Sequence, residues 1–310
     1  MARFYAGSVI KEHRTRRGIT QDILCAGICS KTTLHRIEAG KNSPSVYVFS
    51  RLMERLGINA SNFYFSASSL VELSFYNTYH EINTLITGRN YEEATIKMPK
   101  LMGIECQLDK DDGSNIREQM ILTLRCGIAQ GRGEDAIIRQ EMVLSALLLS
   151  IPNFDENDIA ERMLTYDEIS LLNMLATAYS DLGKTEKTIN ILYQVKQSMD
   201  KFYLDEHEKI KGYSMTLYNL ADTLGLDGRH SETLEICEIA IQHCVRFGNA
   251  RLLPYIKFYK ACALYYSNKM QGYEKLLIES IIAIRIQEDL MGAKIREDFI
   301  KNEMGLEMPF

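Results

Sequence analysis

The stretch GICSKTTLHRIEAG, Gly27 to Gly40, sets Lys31, Thr32, His35 and Arg36 at helical spacing, with Leu34 and Ile37 between them. A helix here buries Leu34 and Ile37 and turns the polar residues outward. A solvated helix face commonly pairs Glu with Lys at i, i+4. Here one acid, Glu38, stands near the end. The outward side chains are donors and short hydroxyls. Arg and Lys donate to guanine acceptors in a major groove, and Thr meets a thymine methyl or a base edge. Gln21, Lys41, Asn42 and Ser43 lie at helix ends and in a loop, where such groups grip phosphates.

Other chemistries lack their residues. The six histidines form no HExxH pair, and no GxSxG or phosphate-binding Walker loop occurs. The seven cysteines are scattered without a CxxC, so buried free thiols in a reducing compartment are expected. Asp109 to Gly113 has some look of a calcium loop, but Met120 occupies the twelfth position where a Glu is required. We therefore expect no catalytic residue, no cofactor and no metal ligand.

The elements that hold the donors follow from caps and breaks. A first helix spans 4–17 and stops at Gly18. Thr20 caps a short second helix over 21–26, which Gly27 breaks. Ser30 caps the third, 31–39, and Gly40 ends it. After the loop Asn42-Ser43-Pro44-Ser45, VYVFSRLMERLG forms a fourth helix, and residues 59–65 form a short fifth element. Two short helices across a Gly-containing turn, in a five-helix module, make a helix-turn-helix pattern. Charge agrees: residues 1–65 carry ten Lys and Arg against four acids, a surplus of six, while the remainder carries 26 against 37. A basic head on an acidic body points to a polyanion partner for the head alone. There is no apolar h-region at the N-terminus and no run of ~20 apolar residues, so a cytoplasmic protein off the membrane is expected.

Gly18-Ile19-Thr20-Gln21, the helix ending Ile37-Glu38-Ala39-Gly40, the Lys41–Pro44 loop and the Leu56-Gly57-Ile58 step resemble the Xre/lambda-repressor-like helix-turn-helix family. The resemblance implies double-stranded DNA as partner and an ion pair between Arg14, late in the first helix, and Glu38.

Residues 66–310 show no strand-like alternation and read as amphipathic helices with short breaks. TAYSDLGKTEKTINIL (177–192) aligns with DTLGLDGRHSETLEIC (222–237) at an offset of 45 residues, and KACALYYSNKMQGYEKLL (260–277) follows at 42. TGRNYEEA and QGRGEDA place Ala94 and Ala136 another 42 apart. Small residues at fixed points let paired helices pack closely. Residues 150–167 are an irregular connector. This resembles a tetratricopeptide-type array of about five hairpins, whose period exceeds the usual ~34 residues. Such an array winds into a superhelix with a concave face. The fold class is thus all-α: a helix-turn-helix domain over 1–66, then a tetratricopeptide-like α-solenoid over 67–310.

That pairing of modules resembles the Gram-positive peptide-pheromone receptors of the RRNPP group. The resemblance implies a homodimeric transcription regulator, a pseudo-palindromic operator and a short signalling peptide in the concave groove. An extended peptide exposes unpaired backbone groups that an Asn amide satisfies from both ends. Asn83, Asn173 and Asn219 lie on first helices of hairpins near the inner face. Arg125, Asp222 and Lys260 lie comparably, and Arg or Lys takes a carboxylate. Tyr79 and Tyr218 offer apolar walls with a polar tip. Two other readings stay open: an array that scaffolds a protein partner, and a constitutive phage-type repressor with no peptide ligand.

Overall fold

In a computed structural model of the chain, the described residues are 6–58, 70–108, 110, 113–202, 206–267 and 272–307. They hold fifteen α-helices and, among the described residues, no strand.

The head contains α1 (Ala6–Arg16), α2 (Gln21–Cys25), α3 (Lys31–Glu38) and α4 (Val46–Arg55). The expected caps form. Thr20, Ser30 and Ser45 each accept the backbone N–H three residues on, satisfying a donor that the first helical turn leaves free. Gly40 takes a left-handed φ of 68°, which ends α3 at little steric cost. The expected fifth element at 59–65 lies outside the described residues, as do Asp109, Asp111 and Asp112 of the calcium-like loop.

The body pairs helices as hairpins: α5 (Leu70–Thr87) with α6 (Tyr91–Glu105), α7 (Ser114–Gly131) with α8 (Ala136–Leu148), α9 (Tyr166–Asp181) with α10 (Thr185–Phe202), α11 (Glu206–Leu226) with α12 (His230–Phe247), and α13 (Leu253–Tyr266) with α14 (Tyr273–Ile286). A last helix, α15 (Leu290–Asn302), packs on α14. Five hairpins match the expected number. The odd-numbered helices also touch one another in succession, α5 to α7, α9, α11 and α13. Helices that meet their neighbours on both sides occupy the inside of the bend, so the odd series lines the inner face.

The repeat residues explain the close packing. Ala94, Ala176, Ala221 and Ala263 are all buried, and Thr188 of α10 donates to the Ala176 carbonyl of α9 at 3.2 Å. Ala136 departs from this pattern. It opens α8 half-exposed, so the earliest small-residue register is not a packing contact there. The array also bends far enough for its ends to meet: Arg89 after α5 pairs with Asp289 before α15 at 2.8 Å, and Arg251 donates to the Thr87 carbonyl.

The two charge-segregated parts are not separate bodies. One apolar cluster runs from Ile10, Leu24, Leu34 and Leu52 of the head into Phe75 and Ile82 of α5, Leu101 of α6 and Met120 of α7. Tyr47 of α4 meets Phe75 edge-on at 5.6 Å and donates to the Glu72 carbonyl. The core therefore continues across the boundary expected near residue 66.

Candidate nucleic-acid interface and inner groove

Helix α3 presents the expected face. Lys31, Thr32, His35 and Arg36 are exposed, while Leu34 and Ile37 are almost wholly buried under them. Lys41, Asn42 and Ser43 are exposed in the loop beyond Gly40, where the Lys41 and Asn42 N–H groups both turn back to the Arg36 carbonyl. Lys31 is bridged to Asp22 of α2 at 2.6 Å, with both side chains more than half exposed, a contact that solvent and phosphate can readily displace.

Gln21 departs from its expected role. Its amide Nε2 donates to Glu38 Oε2 at 2.8 Å, so it is held inward rather than offered to a phosphate. The same carboxylate accepts a fork from Arg14, Nε to Oε1 at 2.6 Å and Nη2 to Oε2 at 2.8 Å, while Arg14 Nη1 donates to the Ile19 carbonyl. Three donors on one buried carboxylate tie α1 and α2 to the end of α3. Burial pushes the Glu38 carboxyl up, but the bonds from Arg14 and Gln21 outweigh it and hold the group below its ordinary range. The Arg14–Glu38 pair thus fixes the pitch of the helix that carries the exposed donors.

Sequence reasoning missed a second ionic cluster, at the seam between head and body. Arg51 and Arg55 of α4 are buried, with 5% and 4% of their surface exposed. Arg51 bonds Glu54 at 2.8 Å and reaches Asp167 of α9, which also accepts the Tyr79 phenol at 3.0 Å. Arg55 donates to Glu168 at 3.2 Å, to the Met163 carbonyl at 2.9 Å, and to the Leu24 and Ala26 carbonyls beside the helix turn. Glu168 accepts the Thr165 N–H at 2.6 Å and completes a capping box on α9. Burial raises the Glu168 carboxyl, and Arg55, Ser150, Thr165 and Arg51 together bring it below its ordinary value. At the turn, Gly27 adopts φ 69°, and a Cβ there would lie 1.7 Å from the Ser150 carbonyl oxygen. Backbone meets backbone at that point, which only glycine permits. Three of the ten basic residues counted for the head, Arg14, Arg51 and Arg55, are therefore spent inside the protein, and the charge available to a polyanion is smaller than the count suggests.

The expected groove residues divide. Tyr218 and Asn219 of α11 are half-buried along the odd-helix series, and Asp222 is close by. Asn83 of α5 is half-buried, and its carbonyl accepts the Thr87 hydroxyl. Three others are placed differently. Tyr79 is buried at the seam on Asp167 rather than forming a groove wall. Asn173 is 6% exposed and already satisfied: its amide donates to the Ile169 carbonyl and to Thr216 Oγ1, and its oxygen accepts from Asn219, each at 2.9 Å. It joins α9 to α11 instead of extending an open amide. Lys260 pairs with Glu238 of outer helix α12. Arg125 stays exposed on α7 of the inner series, with one contact to the Met102 sulfur of α6 at 3.2 Å.

At the far end of the inner face Arg296 of α15 enters an aromatic cluster. Its guanidinium lies 4.5 Å from the Tyr255 ring centroid and 5.6 Å from that of Phe258. Among the described residues there is no group of three or more His, Cys, Asp or Glu that could hold a metal, and no helix long and apolar enough to cross a membrane.

Comparison with known proteins bears on both parts. Residues 10–63 match the Helix-turn-helix family model. No curated protein matches the sequence significantly. Bacillus thuringiensis PlcR, solved in complex with the peptide PapR7 and DNA, is 19% identical and superposes with a TM-score of 0.60 over 94% of this chain and 98% of that one. The competence regulator ComR from Streptococcus vestibularis, solved with its cognate signalling peptide XIP, gives 12% and 0.53 over 97% and 98%. ComR from S. thermophilus, solved with DNA and its signalling peptide ComS, gives 13% and 0.51 over 94% and 97%. The chain thus carries a helix-turn-helix module at its N-terminus and, along nearly its whole length, has the fold shared by PlcR and ComR.

Proposed function

We propose that this protein is a sequence-specific, cytoplasmic DNA-binding transcription regulator, controlled by a short signalling peptide in the inner groove of its repeat body. The observation that carries the reading is the exposed donor face of α3, held by Arg14–Glu38 and joined through Arg51 and Arg55 of α4 to Asp167 and Glu168 of the repeat array. PlcR and ComR, which share the fold, have been solved with DNA and with peptides. Lys31, Thr32, His35 and Arg36 read base edges, and Lys41, Asn42 and Ser43 hold phosphates. Gln21 contributes by bracing Glu38. A homodimer sets two α3 helices on half-sites about one helical turn apart, or a multiple of that. Peptide changes DNA affinity only by favouring one arrangement of the array over another. Tyr218, Asn219, Asp222 and Asn83 line the groove we assign to it.

Binding of duplex fragments from the protein's own chromosome, followed against salt, tests the reading. Affinity should fall as salt rises. Arg36→Ala should weaken the specific site by about 1–3 kcal/mol and leave peptide binding unchanged. A footprint untouched by that substitution refutes the assignment of α3. DNA affinity that ignores every peptide refutes peptide control and favours a scaffold or a constitutive repressor.

A further inference from the structure

Between α11, α13 and α15 lies a cavity of about 160 Å³ at the C-terminal end of the inner face. Leu226, Phe258, Tyr266, Ile295 and Phe299 make its apolar walls, with Arg296 and His230 among the lining. Arg296 has an unusual set of partners. Nη1 donates to the Gly292 carbonyl at 3.1 Å and Nη2 to the Tyr259 phenol oxygen at 3.4 Å, while Nε is buried with no acceptor. Among the described residues, no carboxylate forms an ion pair with it. His230 Nδ1 is likewise buried without a partner, its ring stacked on Tyr266 at 5.2 Å. A half-buried guanidinium that makes no ion pair, with the Asp222 acid across the cavity, keeps donor capacity that a ligand can use. Arg14, Arg51 and Arg55, by contrast, each form an ion pair with an acid.

We propose that this cavity binds the free C-terminal carboxylate of the controlling peptide, with the last, apolar side chain seated in the aromatic recess. The inference rests on the peptide-control reading above and specifies which end of the peptide is recognised and by what. The Nε–Nη2 edge of a guanidinium is a planar fork that matches a carboxylate. Here Nη2 is held only by the long bond to Tyr259, and Nε, buried beneath it, still lacks an acceptor. At a peptide's C-terminus one Cα bears both a carboxylate and a side chain, which fits a fork and an apolar recess sharing one cavity. An apolar cavity of about 150 Å³ accepts a benzene-sized group, so this one has room for a Leu or Phe side chain. Asp222 also faces the cavity; burial raises its carboxyl above the ordinary range, with Tyr259 and Arg296 pulling the other way. A phosphate dianion would meet that acid with one guanidinium to offset both, so a monoanion is the better match.

The probes are two random heptapeptide pools, identical except that one ends in a free acid and the other in an amide, passed over the immobilised full-length protein. The acid pool should be retained roughly tenfold or more in excess, the scale of one charge-assisted contact, and its retained fraction should be rich in apolar last residues. Leu226 is 72% exposed at the mouth, so its substitution leaves the core intact. Leu226→Glu should cut the acid preference sharply and Leu226→Lys should preserve it. Arg296→Gln, checked for native thermal unfolding, should erase it. Equal retention of acid and amide, or an acid preference that survives both Arg296→Gln and Leu226→Glu, overturns the assignment of the cavity while leaving peptide control standing. Enrichment of internal Asp or Glu without a terminal preference also overturns it. No retention of either pool by a protein that still binds duplex DNA overturns the peptide reading itself, and this inference with it.

Discussion

Glu168→Ala tests the seam between head and body most directly. The carboxylate has two duties: it pairs with Arg55 across the seam at 3.2 Å and accepts the Thr165 N–H at 2.6 Å. Breaking a buried pair by removing one partner costs about 3–5 kcal/mol, because the other charge stays behind. Arg55 is not wholly stranded, since the Met163, Leu24 and Ala26 carbonyls still accept from it. The ionic loss then belongs at the low end, about 3 kcal/mol. Thr165 N–H loses its acceptor on a buried residue, adding about 1 kcal/mol. The sum, about 4 kcal/mol, is a large part of the usual stability of a domain. Urea unfolding at pH 7, followed by far-ultraviolet circular dichroism, measures it, and hydrogen exchange localises it. Amides of α2, α4 and the start of α9 should lose protection before those of α11 and α12. Glu168→Leu combined with Arg55→Met should recover much of the loss, because an apolar pair of similar volume carries no desolvation cost. A change below about 1 kcal/mol in the single variant, or uniform loss of protection along the chain, refutes the view that this pair fastens α4 to α9.

Further outcomes follow from the same geometry. Glu38→Ala removes the acceptor of three side-chain bonds and leaves Arg14 with the Ile19 carbonyl; a loss of about 2–4 kcal/mol is expected, and an unchanged melting midpoint contradicts the brace. Gly27→Ala forces a Cβ onto the Ser150 carbonyl at a left-handed φ, so it should loosen head from body, seen as faster hydrogen exchange in α2 and α4; exchange equal to wild type argues against the close approach. Glu38 and Glu168 both have folded carboxyls below their ordinary values. The stability they supply is complete above the unfolded pKa of about 4.3 and is lost as pH falls through the folded values. Urea midpoints should therefore drop below about pH 4.5, less steeply in Glu38→Gln; a flat profile from pH 5 to pH 3 refutes the sign. Asn173→Ala removes the amide joining α9 to α11 and leaves Thr216 and Asn219 without that partner; a loss of about 1–3 kcal/mol in urea unfolding is expected, and an effect near zero returns Asn173 to the open groove.

Local chemistry made much of this protein legible from its residues in order. Thr20, Ser30 and Ser45 cap helices because a hydroxyl satisfies a donor only three residues away, and Gly40 ends α3 because it adopts a left-handed conformation freely. The outward donors of α3 and the five hairpins follow from a 3.6-residue period and from small residues recurring at a fixed interval. The Arg14–Glu38 pair came through a family resemblance; the structure places the two side chains in a fork of bonds at 2.6 and 2.8 Å.

Tertiary structure decided which polar groups remain available. Asn173, Tyr79 and Lys260 have the composition of groove residues, yet Thr216, Asp167 and Glu238, each distant in sequence or on another helix, take up their bonds. Arg51 and Arg55 looked like surface charge on a basic head until Asp167 and Glu168, more than a hundred residues away, were placed against them. Arg296 is the converse case: an ordinary arginine in sequence, made distinctive because the fold surrounds it with rings and, among the described residues, gives it no ion pair. Periodicity and capping are decided by neighbours a few residues off, so order along the chain contains them. A buried charge is decided by whatever the fold brings within a few ångströms, and one chain read from end to end does not contain that list.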